Sequence, residues 1–134
     1  MFYLSEKSWK NLEGVDPRLV AVVAMALTKS GIDFGVSEGL RSYKRQRMMV
    51  QQGKSQTLKS KHLYGEAVDL YAWVNGNVSW DLVWYREINV YMLESAATLD
   101  VAIRWGNDWD RDGVEVGQDP DERFVDGVHW ELVD

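Results

Sequence analysis

Ser60-Lys61-His62-Leu63-Tyr64-Gly65-Glu66-Ala67-Val68-Asp69-Leu70 changes character part-way along. Its first half is polar and closes on a glycine. Its second half opens an apolar run, Ala67 to Trp73, that carries one carboxylate, Asp69. A short apolar run between a polar loop and the turn signal Asn75-Gly76-Asn77 reads as a buried strand. A carboxylate on such a strand is costly to bury without a partner, and a cation is one way to satisfy it.

The chain has only two histidines, His62 in this stretch and His129 in Asp126-Gly127-Val128-His129-Trp130-Glu131-Leu132. Each lies beside carboxylates, at or just before a predicted strand. Two imidazoles and one carboxylate, His62, His129 and Asp69, make a hydrolytic zinc site with the fourth position left for water. Zinc lowers the pKa of that water and polarises a substrate carbonyl. The plainer reading stands beside it: a histidine is more often a hydrogen-bonded or surface residue, and Asp69 could cap a turn or pair with an arginine. No HExxH helix is present to favour the metal on spacing alone.

Working outward, Asp16-Pro17 opens a helix, with Asp16 as cap and Pro17 at the first helical position. Leu19, Val20, Val23 and Leu27 form its apolar face, and Gly31 is the expected stop. Phe34 to Ser37 reads as a short strand. Glu38 to Ser42 is a turn into a second helix, capped by Ser42 and ended by Gly53. Ser79 is expected to cap a long helix to about Leu99, with Val83, Trp84, Ile88, Tyr91, Met92, Ala96 and Leu99 around its buried side. Val101 to Trp105 and Val128 to Val133 complete the strands. Helices and strands do not alternate regularly, which predicts an α+β domain with a small antiparallel sheet. With 134 residues there is room for one domain, 1–134.

Hydrophobic residues make up 46% of the chain, with seven Trp and six Tyr, enough for a real core. The aromatics Trp73, Trp80, Trp84, Trp105 and Trp109 read as core and rim packing rather than a sugar platform. A net charge of -6 argues against nucleic acid and anionic surfaces as partners; an anionic polymer would need a local site or a bound cation. There is no cysteine, so thiolate metal sites and disulfides are excluded. The opening MFYLSEKSWKNLEGVD lacks a signal-peptide pattern, and no apolar stretch reaches the roughly 18 residues of a membrane span. The expectation is a soluble cytoplasmic monomer with no membrane insertion.

Asp108-Trp109-Asp110-Arg111-Asp112-Gly113 reads as D-x-D-x-D-G, the front half of a calcium loop. Val114 would offer a carbonyl at the seventh position and Asp119 falls at the twelfth. A calcium ion there would order the segment bearing Asp126 and His129. The alternative is a solvated acidic loop.

The string SKHLYGEAVDL resembles the SxHxxGxAxD motif of the LAS zinc peptidases, which include D-Ala-D-Ala carboxypeptidases, D,D-dipeptidases and tailed-phage endolysins cutting L-alanyl-D-glutamate bonds. DGVHWEL is similar to the family's second motif, an acidic residue three before a histidine. SEGLRSYKRQ is similar to its EGxR-S/T segment. The resemblance covers residues 37 to 132 and implies a hedgehog/D,D-peptidase-like fold. It implies His62, Asp69 and His129 as zinc ligands, Asp126 as general base and Arg41 as the group that stabilises a developing oxyanion. On the residues alone Glu131 rivals Asp126 as base, because it shares a strand face with His129, or it orients a ligand from behind. Arg41 on the residues alone is an ion-paired surface arginine as readily as a catalytic one.

The implied function is an endolysin that hydrolyses the L-alanyl-D-glutamate bond of peptidoglycan, held in the host cytoplasm until holin-type release. The alternatives are D-Ala-D-Ala cleavage and a non-catalytic zinc-containing binding domain.

Overall fold

The computed structural model describes residues 1–55, 59–113, 115 and 126–133. The chain runs α1 (Glu6–Asn11), α2 (Pro17–Lys29), β1 (Asp33–Glu38), α3 (Tyr43–Gln51), a 3-10 turn (Lys61–Tyr64), β2 (Ala67–Val74), β3 (Asn77–Ser79), α4 (Leu82–Leu99), β4 (Ile103–Gly106) and β5 (Asp126–Leu132). This is the expected α+β class, a small sheet flanked by helices.

The strand order is β1-β2-β5-β4, and every pairing is antiparallel. The hairpin strand β3 joins β2 further along. Alternation along β2 sends Val68, Leu70 and Ala72 into the core with Trp130 and Leu132 of β5. Leu19, Val22 and Val23 of α2 and Ile88 and Met92 of α4 cover that face, all fully buried. Asp69, Tyr71 and Trp73 therefore fall on the opposite face of β2, which carries the polar chemistry.

Several boundaries differ from expectation for local reasons. The helix opened by Asp16 ends at Lys29, before Gly31, because Ser30 leaves helical geometry and its hydroxyl bonds to Ile32. The long helix is capped by Asp81, whose carboxylate accepts from Val83 N; Ser79 belongs to β3. Val83 lies on the exposed side, and the buried stripe is Tyr85, Ile88, Met92, Ser95 and Ala96. The expected turn at Asn75-Gly76 is present, both residues having positive φ, but it connects a hairpin whose second strand is too short and polar to read from sequence.

The sequence reading also missed α1. Its cap is Ser5, and it covers the edge strand β1: Ser8 Oγ accepts from Val36 N at 3.0 Å, and Asn11 donates to Val36 O at 2.8 Å. Edge groups that would otherwise face solvent are thereby paired. Of the five tryptophans read as core and rim, Trp105 is buried, while Trp73 and Trp80 are exposed. Among the described residues no helix is long and apolar enough to cross a membrane.

Candidate active site

His62 sits in the 3-10 turn, whose cap Ser60 accepts from His62 N. Gly65 ends the turn in the left-handed region, φ 70°, where a Cβ would also lie 2.2 Å from the Gly14 carbonyl oxygen. Only glycine fits that position. Asp69 and His129 are register partners on β2 and β5, so their side chains share a face.

The three side chains converge. His62 Nε2 lies 3.1 Å from Asp69 Oδ1, His129 Nδ1 lies 3.1 Å from the same oxygen, and the two nitrogens are 3.2 Å apart. The far side of each ring fixes its tautomer. His62 Nδ1 faces the Gly39 carbonyl at 2.7 Å, which can only accept, so Nδ1 carries the hydrogen. His129 Nε2 faces Glu131 Oε1 at 2.7 Å, and an ionised carboxylate likewise only accepts. Rings that donate outward in this way turn their other nitrogens and a carboxylate oxygen toward one point, an arrangement that needs a cation, whether metal ion or proton, to hold it together. Donors about 2.0–2.1 Å from a tetrahedral zinc would be roughly 3.3 Å apart, which these distances match closely. The residues fit the metal.

Electrostatics point the same way. Burial alone would raise the Asp69 pKa, but the hydrogen bonds of His129 and His62 outweigh it and hold the carboxyl well below its usual range. Burial would lower that of His129, but Asp69 and Glu131 outweigh it and raise the metal-free value to about 9. Without a metal, a proton takes the cation's place.

Asp126 Oδ2 lies 4.0 Å from His129 Nδ1. Residues three apart on a regular strand point to opposite faces, so this closeness needs an irregular strand. It is present: Trp105 pairs with Trp130, yet its neighbour Gly106 pairs with Asp126, so one step on β4 spans four on β5. The bulge is pinned by Trp105 Nε1 donating to Gly127 O at 2.7 Å. Gly106 permits the approach, since a Cβ there would meet Asp126 O at 2.1 Å. Gly127 leaves room for Leu82: a Cβ there would lie 2.9 Å from Leu82 Cδ1. Burial, then the charge of Asp69, pushes the Asp126 pKa up.

Arg41 is 5% exposed. Nε and a terminal nitrogen grip the Glu38 carboxylate at 2.7 and 2.9 Å, another nitrogen donates to Gln46 Oε1, and Asp69 Oδ2 is 3.5 Å away. Its backbone N–H donates to His62 O at 2.9 Å, which ties the EGLR turn to the histidine turn. Glu131 stands behind His129, away from Asp69, and also receives Arg104, at 2.8 Å from Nε and 2.7 Å from Nη2. A cleft of about 620 Å³ opens over these groups, with Met49, Trp109 and Val128 in its walls.

Glu38, Gln46 and Arg104 were not singled out from sequence. Arg104 carried a usable signal: it is a lone cation in the apolar strand Ile103–Gly106, as Asp69 is a lone carboxylate in β2. Asp108, Asp110 and Asp112 do gather their carboxylates within 4.8 Å of one another. Those of Asp108 and Asp110 accept from backbone N–H groups of Asp112 and Gly113 in the same turn. Val114 and Asp119, the other expected calcium positions, lie outside the described residues.

The family model for phage L-alanyl-D-glutamate peptidase matches residues 1–133. The chain belongs to the phage L-alanyl-D-glutamate peptidase family. It is 30% identical over 136 residues to the L-alanyl-D-glutamate peptidase of Escherichia phage T5, covering 98% of each chain. It is 31% identical over 123 residues to the peptidoglycan L-alanyl-D-glutamate endopeptidase CwlK of Bacillus subtilis, covering 81% of this chain and 65% of that protein. Among solved structures it matches the Serratia marcescens L-Ala D-Glu endopeptidase ChiX with a TM-score of 0.83 and 40% identity, over 98% of this chain and 90% of that one. VanYB, solved with D-Alanine-D-Alanine, matches at 17% identity and TM-score 0.55 over 90% of this chain and 72% of that one, which shows a shared fold.

Proposed function

We propose that this family member is a zinc-dependent endopeptidase that hydrolyses the L-alanyl-D-glutamate bond of peptidoglycan stem peptides, folded as one catalytic domain over 1–134. The observation that carries it is the convergence of His62 Nε2, His129 Nδ1 and Asp69 Oδ1 at tetrahedral spacing, with the Asp126 carboxylate 4.0 Å from the nearer nitrogen. Names of relatives at 30 to 40% identity over nearly the whole chain support the bond assigned.

Zinc held by His62, Asp69 and His129 would acidify water and polarise the scissile carbonyl. Asp126 takes a proton from the attacking water and returns it to the leaving nitrogen, a task its position beside His129 Nδ1 allows. Arg41, fixed by Glu38 and Gln46, supplies positive charge beside the developing oxyanion. Glu131 orients His129 rather than acting as base, since its carboxylate sits on the far side of that ring. The enzyme acts on the wall as a monomer, after synthesis in the host cytoplasm and release through a holin-type pore. Calcium at Asp108, Asp110 and Asp112 is a separate part of the reading and rests on those gathered carboxylates alone. With zinc saturated, an unchanged melting temperature and activity between chelated and calcium-loaded protein would remove it.

The test of the bond is digestion of purified peptidoglycan with identification of new termini by mass spectrometry. A new D-glutamyl amino terminus is expected. Release of free D-alanine would move the activity to D-Ala-D-Ala cleavage. No cleavage at full zinc occupancy would make the chain a binding domain.

A further inference from the structure

A net charge of -6 leaves open how an anionic stem peptide is drawn to this surface. The cleft supplies a local answer. Among the described residues that line it, five are cationic, Arg41, Lys54, Lys59, Lys61 and Arg104, against three carboxylates, Asp69, Asp126 and Glu131. The cations are not equivalent. The Arg41 side chain is 4% accessible and committed to Glu38 and Gln46. Lys61 Nζ is turned to the Leu132 carbonyl. Lys54 and Lys59 carry long flexible stems.

Arg104 is both held and accessible. It pairs with Glu131 across β4 and β5, so both side chains stand on the face that carries His129. Its Nε donates to Glu131 Oε2 at 2.8 Å, a terminal nitrogen lies 2.7 Å from the same oxygen, and its guanidinium carbon lies 5.8 Å from the centre of the Trp109 ring. Trp109 in turn lies 5.6 Å from the His129 ring, which places the guanidinium on the cleft wall next to the metal ligands. Its side chain keeps 35% accessibility. A planar donor fork fixed on one edge and open on the other is preorganised for a second carboxylate.

The substrate offers one beside the scissile bond. In peptidoglycan stems the D-glutamyl residue is extended through its side-chain carboxyl. Its α-carboxyl group, on the carbon that bears the scissile nitrogen, is therefore charged unless amidated. We infer that Arg104 is a specificity residue that binds this α-carboxylate through the donors Glu131 leaves open, so that the enzyme discriminates D-glutamyl from amidated stems. The inference rests on the L-alanyl-D-glutamate reading.

Two synthetic stem peptides, identical except for carboxylate or carboxamide at that carbon, separate the outcomes. Zinc-loaded wild type is expected to favour the carboxylate by on the order of 10- to 100-fold in kcat/KM. Arg104→Gln should bring the ratio to within about threefold of one, mainly by losing the carboxylate substrate, with zinc content unchanged. Arg104→Lys should recover part of the preference. Equal cleavage of both peptides by wild type would overturn the inference and leave the bond assignment standing, as would a preference that survives in Arg104→Gln. An equal loss on both peptides in Arg104→Gln, not relieved in Arg104→Lys, would also overturn it, leaving Arg104 as a support for Glu131. Cleavage of neither peptide by wild type would overturn the bond assignment with it.

Discussion

Glu131 Oε1 and His129 Nε2 are joined by a 2.7 Å hydrogen bond, and this bond decides which nitrogen His129 turns toward Asp69. Removing the carboxylate frees the ring to rotate and change tautomer. Glu131→Ala should weaken zinc binding about 10- to 100-fold, as loss of such supporting partners does. Activity should largely return when zinc is raised to saturation. A chelator competition paired with a zinc-titrated assay checks both parts. Activity that stays lost at full occupancy would return the role of base to Glu131.

Asp126 carries the opposite expectation. Its carboxylate reaches the site from a bulge and is not among the three converging donors. Asp126→Asn should keep zinc and the fold while turnover falls about 10²- to 10⁴-fold, the usual contribution of a positioned acid–base group. Single-turnover digestion of a defined peptide, beside metal analysis of the same sample, reads this out.

How far the sequence could foresee this site depends on the distance over which each interaction acts. His62, Asp69 and Gly65 were legible because turn chemistry and an apolar run with one charge are local patterns. The closeness of Asp126 to His129 was legible only through the family motif; its physical cause is a register shift between β4 and β5. Register depends on partners far apart in sequence. The clamp of Glu38 and Gln46 on Arg41 needs α3 folded back over the turn, so Arg41 alone was visible. The helix Glu6–Asn11 was missed because its stability comes from docking on Val36, not from its own periodicity.

Metal binding should depend on pH in a direction set by His129. In the metal-free chain its pKa is raised to about 9, so near neutrality zinc must displace a proton. Apparent affinity should fall about tenfold per pH unit as the pH drops from 9 toward 7. The Asp69 carboxyl, held well below its usual range, stays ionised throughout and adds nothing there. By the same linkage, the His129 proton stabilises the metal-free fold fully below the ordinary imidazole value of 6.5, and that stabilisation is lost as the pH rises through about 9. Zinc titrations in competition with a chelator at pH 7, 8 and 9 test the slope, and a flat profile would contradict it.

Tyr85 tests the scaffold separately. Its buried hydroxyl accepts from Ala72 N at 3.0 Å and donates to Ser79 O at 2.7 Å, locking the β2–β3 hairpin to α4. Tyr85→Phe leaves both backbone groups without that partner and should cost about 1–3 kcal/mol of unfolding free energy. Zinc-saturated activity should change little. Urea unfolding followed by tryptophan fluorescence measures the first, and the wall assay the second.

The most direct test of the metal centre is X-ray absorption at the zinc edge on the zinc-loaded chain, with His62→Ala and His129→Ala beside it. One zinc per chain is expected, with two imidazole nitrogens at about 2.0–2.1 Å and the rest of the shell oxygen. Each substitution should remove one imidazole from the spectrum. Fewer than two imidazoles in the wild type, or a spectrum unchanged in either variant, would contradict the placement of the metal between His62, Asp69 and His129.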